Sequence, residues 1–250
     1  MKTLQDHSIK TRFAAALSRE NERGFVAVIP DIKCLSPKEG DLLRGRDPVE
    51  TAKQLVRYGA PLLSVVTEPQ SFGGSPALLR DIVQTVDVPV LRKDFITDEG
   101  MLEETLALGA AAVLLICAVA DAGTLQRLYE KALALGLEPL VEVHTAKEMD
   151  FARRLGAKLI GINNRDIVAL ERDDGGPDRT AALLAGAPAG ALLISESGIL
   201  SPADARLAAK AGANAILVGT ALWLADDMSA MYRSLRVRQT PRGDAPCGQS

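Results

Sequence analysis

Short apolar runs recur along the chain, beginning near residues 25, 62, 88, 111, 138, 158, 191 and 215, and each is continuous instead of alternating apolar with polar positions. A run that is apolar throughout suits a strand covered on both faces, as in a parallel sheet. Between the runs lie stretches of helical periodicity, among them "DPVETAKQLVRY", "TDEGMLEETLALG", "DAGTLQRLYEKALALG", "TAKEMDFARRLG" and "SPADARLAAKAG". Several open on Asp, Ser or Thr, whose side chains cap a helix N-terminus by accepting its free N–H groups. A helix-to-strand unit repeats as "YGAPLLSVV", "LGAAAVLLI", "LGLEPLVEV", "LGAKLIGIN" and "AGANAILVG". Its glycine (Gly59, Gly109, Gly136, Gly156, Gly212) fits the left-handed position just past a helix end.

Eight such strand–helix units predict an α/β fold, a (β/α)8 TIM barrel, over residues 25–236. An open, doubly wound sheet is the alternative arrangement of the same elements. Residues 1–24 contain "IKTRFAAALSREN", which reads as a short N-terminal helical extension. Residues 237–250 are polar and rich in Pro and Gly, the composition of a disordered tail.

Composition narrows the functional classes. The chain is 47% hydrophobic and 24% charged with a formal net charge of -3, so it has apolar surface for a large core and no basic footprint for nucleic acid. No run approaches the roughly 18 apolar residues that span a bilayer, and the polar start "MKTLQDHSIKTR" has no signal-peptide core, so no membrane partner and a cytoplasmic location are expected. Cys34, Cys117 and Cys247 are far apart and odd in number, and His7 and His144 are the only histidines. Neither a disulfide framework nor a metal site is expected.

In a TIM barrel the chemistry gathers at the C-terminal ends of the strands. The first run ends in Asp31 and Lys33, the third in Arg92, Lys93, Asp94 and Phe95, and the fifth carries Glu142. The sixth ends in Asn163, Asn164 and Arg165, the seventh in Ser195, Glu196, Ser197 and Gly198, and the eighth in Gly219 and Thr220. The second and fourth runs end with less chemistry. Residues two apart on a strand share a face, so Asp31 with Lys33, and Asn163 with Arg165, project together. If those directions are inward, Lys33, Lys93 and Arg165 meet Asp31, Glu142 and Glu196 in one mouth, where mutual pairing offsets the cost of burial and shifts proton affinities. Strand-end charges can also be solvated groups or structural ion pairs, and Asp94 and Asp166, on the opposite parity, fit that description.

"SESGILSPAD" and "LVGTALW" each place Gly beside Ser or Thr between strand and helix, where backbone N–H groups can approach a phosphate; tight turns alone would use the same residues. No G-x-G-x-x-G follows a strand. The residues therefore point to a small phosphorylated organic anion handled by lysines and carboxylates, with no cofactor.

"IK-x-x-SP", "FGGS", "LRKDFI", "VLLI", "PLVEVHT", "IGINNRD", "SESGI" and "VGTALW", spread from about Phe13 to about Leu224, resemble in order and spacing the indole-3-glycerol-phosphate synthase family of tryptophan biosynthesis. The resemblance implies a lyase that closes the indole ring of 1-(2-carboxyphenylamino)-1-deoxyribulose 5-phosphate with release of CO₂ and water. It implies Lys93 as general acid, Glu142 as base and Lys33 as the lysine that contacts substrate and assists dehydration. Asp31 stands at a further catalytic position, and Asn163 and Glu196 position the substrate and stabilise charge. By the same resemblance Ser36 and Arg165 lie near the substrate carboxylate, Phe72 and Phe95 wall the aryl ring, and Ser197, Gly198, Gly219 and Thr220 cradle the phosphate. His144, in the "EVH" stretch, receives no catalytic role. The family implies a monomer or weak homo-oligomer and association with other tryptophan-pathway enzymes.

Two features depart from the family pattern. The family usually has Glu where this chain has Asp31, and its N-terminal extension, which helps to cover the barrel mouth, is longer. Three other readings fit the same inventory: a Schiff-base aldolase using Lys93 or Lys33, an isomerase of an aminated sugar phosphate, and a phosphate-binding barrel without turnover.

Overall fold

The computed structural model describes residues 13–165, 178–184 and 186–240. His7, Asp166, Cys247 and the tail residues 241–250 singled out above lie outside them. The barrel strands are β1 (Ala27–Ile32), β4 (Leu63–Val66), β5 (Val90–Lys93), β6 (Ala112–Ile116), β7 (Glu138–Val143), β8 (Leu159–Asn163), β9 (Leu192–Glu196) and β10 (Ala215–Val218). They close in the order β1-β10-β9-β8-β7-β6-β5-β4 with parallel pairing, so the eight apolar runs form the predicted TIM barrel. Two short strands, β2 (Leu35–Ser36) and β3 (Gly40–Asp41), make an antiparallel hairpin in the loop after β1.

Local chemistry sets the helices. Asp47, Asp98, Asp121, Thr145 and Ser201 each accept a backbone N–H at the start of α2 (Pro48–Arg57), α4 (Glu99–Ala107), α5 (Ala122–Ala134), α6 (Ala146–Leu155) and α8 (Pro202–Ala211). The five repeated glycines all have positive φ, from 70° at Gly156 to 104° at Gly59, as the left-handed helix end requires.

The lumen is filled by Ala27, Ile29, Leu62, Leu91, Ala112, Leu114, Leu140, Leu159, Ile194, Ala215 and Leu217, which pack with Phe13, Ala16 and Leu17 of α1 (Phe13–Glu22). Helix α1 therefore plugs the N-terminal end of the barrel, opposite the strand C-termini. Its first turn is tied down by Glu138, at the start of β7, which accepts the N–H groups of Phe13 at 2.5 Å and Ala14 at 3.1 Å. The apolar face of this helix is thus consumed at the end opposite the mouth. Residues 237–239, expected in the tail, are strapped across that same end, with Val26 N–H donating to Val237 and Gln239 N–H to Gly24. Arg236 and Arg238 lie 3.8 and 4.4 Å from the Phe25 ring centroid. Two further apolar cores lie between strands and helices, one around β1, β4 and β10 and the other around β6, β7 and β8.

Candidate active site

At the C-terminal ends of the strands the inward parity of the lumen continues into polar residues. Asp31, Lys33, Lys93 and Arg165 line one cavity of about 390 Å³ together with Ser197, Gly198, Gly219 and Thr220. Charges from β1, β5 and the segment after β8 thus meet the two glycine turns, as strand parity predicts. A second cavity of about 240 Å³ is lined by Phe72, Phe95, Ile116, Glu68, Asp94 and Lys93. Lys93 is common to both and stands between the polar cavity and the aromatic one. The Lys33 ammonium lies 5.5 Å from the Phe72 ring centroid, within the range of a cation–π contact.

The other predicted carboxylates and amide are buried more deeply. Glu142, Asn163 and Glu196 are wholly inaccessible to solvent, which for a carboxylate demands compensating partners. Asn163 Nδ2 donates to Glu142 Oε1 at 3.2 Å, and its own Oδ1 accepts the Arg165 N–H at 3.0 Å. That second bond distinguishes the amide oxygen from the nitrogen and so fixes which end faces Glu142. His144 Nε2 lies 3.3 Å from the same Glu142 oxygen, and Nδ1 lies 3.6 Å from Glu148. Burial pushes Glu148 upward in pKa, but hydrogen bonds from His144 and Thr145 outweigh it and hold the carboxyl below its ordinary range. Burial, with the charges of Glu148 and Glu142, pushes the neighbouring Cys117 thiol up to about 12.

Glu196 owes its place to a glycine. A Cβ built on Gly161 of β8 would lie 1.9 Å from Glu196 Oε1, so the carboxylate of β9 fills the space that Gly161 leaves. Asp31 is held from behind by its backbone, whose carbonyl accepts the Trp223 indole N–H at 2.9 Å. Arg46, at the end of the loop that carries the hairpin, sits 5.2 Å from the Trp223 ring centroid and bonds its backbone carbonyl. Together these contacts join the loop after β1 to α9 (Thr220–Leu224) beside the second glycine turn.

Ser36, like Glu142, Asn163 and Glu196, sits outside the lining of both cavities. It is buried, and its hydroxyl accepts the N–H groups of Lys38 and Glu39 within its own hairpin turn. Asp94 has the structural role expected of its parity, accepting from Arg92 Nη2 at 3.2 Å and from Thr67. Arg92 also bonds Thr105 and Glu104 of α4, bracing the strand end that carries Lys93.

The second run holds more chemistry than its sequence suggested. Glu68 accepts the N–H groups of Gln70, Ser71 and Phe72 at 2.8, 2.7 and 3.1 Å, and so shapes the loop that presents Phe72. The signal was the "TEPQSF" stretch, a carboxylate followed by a proline-started turn. Asn164, likewise unassigned, is a buried amide with five side-chain hydrogen bonds and lies next to Arg165. Among the described residues, no group of His, Cys, Asp and Glu could hold a metal ion, and no helix is long and apolar enough to cross a membrane.

Comparison with known proteins gives a consistent result. Residues 2–235 match the family profile described as indole-3-glycerol phosphate synthase. A protein of that name from Aromatoleum aromaticum is 42% identical over 223 residues, covering 89% of this chain and 84% of its own length. One from Pyrococcus abyssi is 42% identical over 207 residues, covering 83% and 90%. Among solved structures, orotidine 5'-phosphate decarboxylase from Pyrococcus horikoshii superimposes with a TM-score of 0.64 at 15% identity, over 83% of this chain and 96% of that one. This last likeness concerns the fold alone.

Proposed function

The chain belongs to the indole-3-glycerol phosphate synthase family, and from that premise we propose how its own residues divide the work. The enzyme is a carbon–carbon lyase: it closes the indole ring of 1-(2-carboxyphenylamino)-1-deoxyribulose 5-phosphate, releasing CO₂ and water. The observation that carries the assignment of roles is that Lys93 lines both cavities. A substrate with its aryl ring between Phe72 and Phe95, and its phosphate at the Ser197–Gly198 and Gly219–Thr220 turns, has its ketone carbon between them, beside Lys93.

In that pose Lys93 gives a proton to the ketone oxygen as the ring carbon bearing the carboxylate attacks the carbonyl carbon. Loss of CO₂ leaves its bonding electrons to the ring. Dehydration then removes the hydroxyl formed in the first step, with Lys33 as the nearby acid and Glu142 as the base. Arg165 offers the fork that binds a carboxylate, while Asn163 orients Glu142. Asp31 and Lys33 share one wall of the polar cavity, which keeps an anion beside the ammonium as charge moves. Glu196, set over Gly161, positions the substrate and stabilises charge in the cationic intermediate. Ser36, on the hairpin that follows Lys33, is assigned with Arg165 to the substrate carboxylate, while its hydroxyl also accepts two N–H groups of the hairpin turn. We further expect a monomer or weak homo-oligomer in the cytoplasm, free to meet other tryptophan-pathway enzymes.

Indole fluorescence developed from the carboxyphenylamino substrate tests the assignment. Lys93→Ala is expected to lower kcat by about 10²- to 10⁴-fold, the usual worth of a general acid. Wild-type turnover in that variant, or a borohydride-trapped adduct on Lys93, would remove the lysine from the general-acid role.

A further inference from the structure

The side chain of Asn164 is buried and fully used, yet it touches neither cavity. Its Oδ1 accepts both the backbone N–H of Thr180, at 3.1 Å, and the Thr180 hydroxyl, at 2.9 Å. This leaves Nδ2 as the donor end, and Nδ2 lies 3.0 Å from each of Ser195 Oγ, the Glu196 carbonyl and the Ser197 carbonyl. The Asn164 backbone N–H donates to the Glu196 carbonyl as well, at 2.9 Å. One residue on the segment after β8 therefore grips two successive carbonyls at the end of β9.

Those carbonyls belong to the turn that lines the polar cavity. Ser197 and Gly198 have φ of 61° and 69°, and a serine in that region has to be held there by its surroundings. Because a trans peptide is planar, its C=O and N–H point in opposite directions. Fixing the Ser197 carbonyl toward Asn164 turns the Gly198 N–H, on the far side of the same peptide, the other way, toward the side of the turn that lines the cavity, while the grip on the Glu196 carbonyl anchors the end of β9. A backbone N–H presented by a left-handed turn at a helix start is suited to an anion.

We propose that Asn164 is a positioning residue for substrate phosphate: it aims the Gly198 N–H through the Ser197 carbonyl on the far side of the same peptide. This rests on the phosphate assignment above. Thr180 has a different part, since it orients the Asn164 amide from the acceptor side without touching the turn.

The test uses the full-length enzyme with inorganic phosphate as probe, read both as competitive inhibition of ring closure and as the shift of the Gly198 amide in ¹⁵N spectra. Asn164→Ala should weaken phosphate binding and raise KM by about tenfold or more, the worth of a lost buried hydrogen-bond donor, with kcat changed by no more than about threefold. Thr180→Val should lower Tm and leave phosphate affinity within about twofold. Phosphate affinity unchanged in Asn164→Ala, or lowered equally in both variants, overturns the proposal. If Asn164→Ala does not fold, the wild type decides: competitive phosphate that shifts the Gly198 amide supports the proposal, and competitive phosphate that leaves that amide unmoved refutes it. Absence of competition would instead overturn the phosphate assignment, and the proposal with it.

Discussion

Gly161 bears no functional group, but its missing Cβ is what admits the Glu196 carboxylate, since a methyl there would come within 1.9 Å of Oε1. Adding atoms to a packed interior typically costs about 1–3 kcal/mol, and a catalytic group displaced by about 1 Å can lose about 10² in rate. Gly161→Ala is therefore expected to fold with a lowered Tm and to lose about 10- to 100-fold in kcat. A kcat equal to wild type, measured in the indole assay, would mean that Glu196 does not act from this position. Nothing in "LIGIN" marks this glycine as special. Its reason lies on the next strand, where Asn163 pairs with Glu196 and Gly161 with Ile194, a register that the local pattern does not contain. Asp31 and Lys33 were legible because their relation is local: two residues apart on one strand, they share a face wherever the strand is placed. Ser36 was read through its neighbours in a motif, and the structure adds the two hairpin N–H groups that its hydroxyl accepts.

At the scale of elements, the repeated units were legible because each carries its own start and stop. A capping Asp, Ser or Thr begins the helix and a left-handed glycine ends it, and both signals lie within a few residues. Helix α1 shows what such signals omit. Its helical character was readable, but the end of the barrel it serves was decided by Glu138, which lies 125 residues from Phe13. Glu138→Ala removes the acceptor for two N–H groups of the first turn. The loss of a cap costs about 0.5–2 kcal/mol, or roughly 2–4 °C of Tm for each kcal/mol at this chain length. Calorimetry should show that drop while kcat stays at the wild-type value, because the plug and the mouth lie at opposite ends. A parallel fall in kcat would mean that the two ends are coupled through the lumen.

For the whole molecule, one chain of polar groups running from the buried site to the half-buried start of α6 links catalysis to stability: Asn163, Glu142, His144 and Glu148. Glu148 has its pKa lowered from the ordinary value of 4.5, so its charged form is favoured by folding. The sign follows directly: its contribution is fully present above the unfolded value and is lost as pH falls through the lower folded value. Urea denaturation of Glu148→Gln should show reduced stability at pH 7 and a difference from wild type that shrinks below about pH 4. A constant difference across that range would assign the loss to the cap at α6, where Glu148 also accepts the N–H groups of His144 and Thr145. The barrel, then, could be read from repetition and the charged mouth from parity. The hub at Asn164 could not, because its partners Ser195 and Thr180 lie 31 and 16 residues away and meet it only once β8, β9 and α7 (Asp178–Leu184) are in place.

Trp223 gives the mouth an optical signature. It is the only tryptophan in the chain, it is almost wholly buried, and its indole proton rests on the carbonyl of Asp31 with the Arg46 cation beside the ring. Emission excited at the red edge, where tyrosine does not absorb, consequently comes from one fluorophore placed between the first strand and the second glycine turn. Any ligand that moves either of them changes the field across that indole, so occupancy of the cavity can be followed by light before a single product ring has formed.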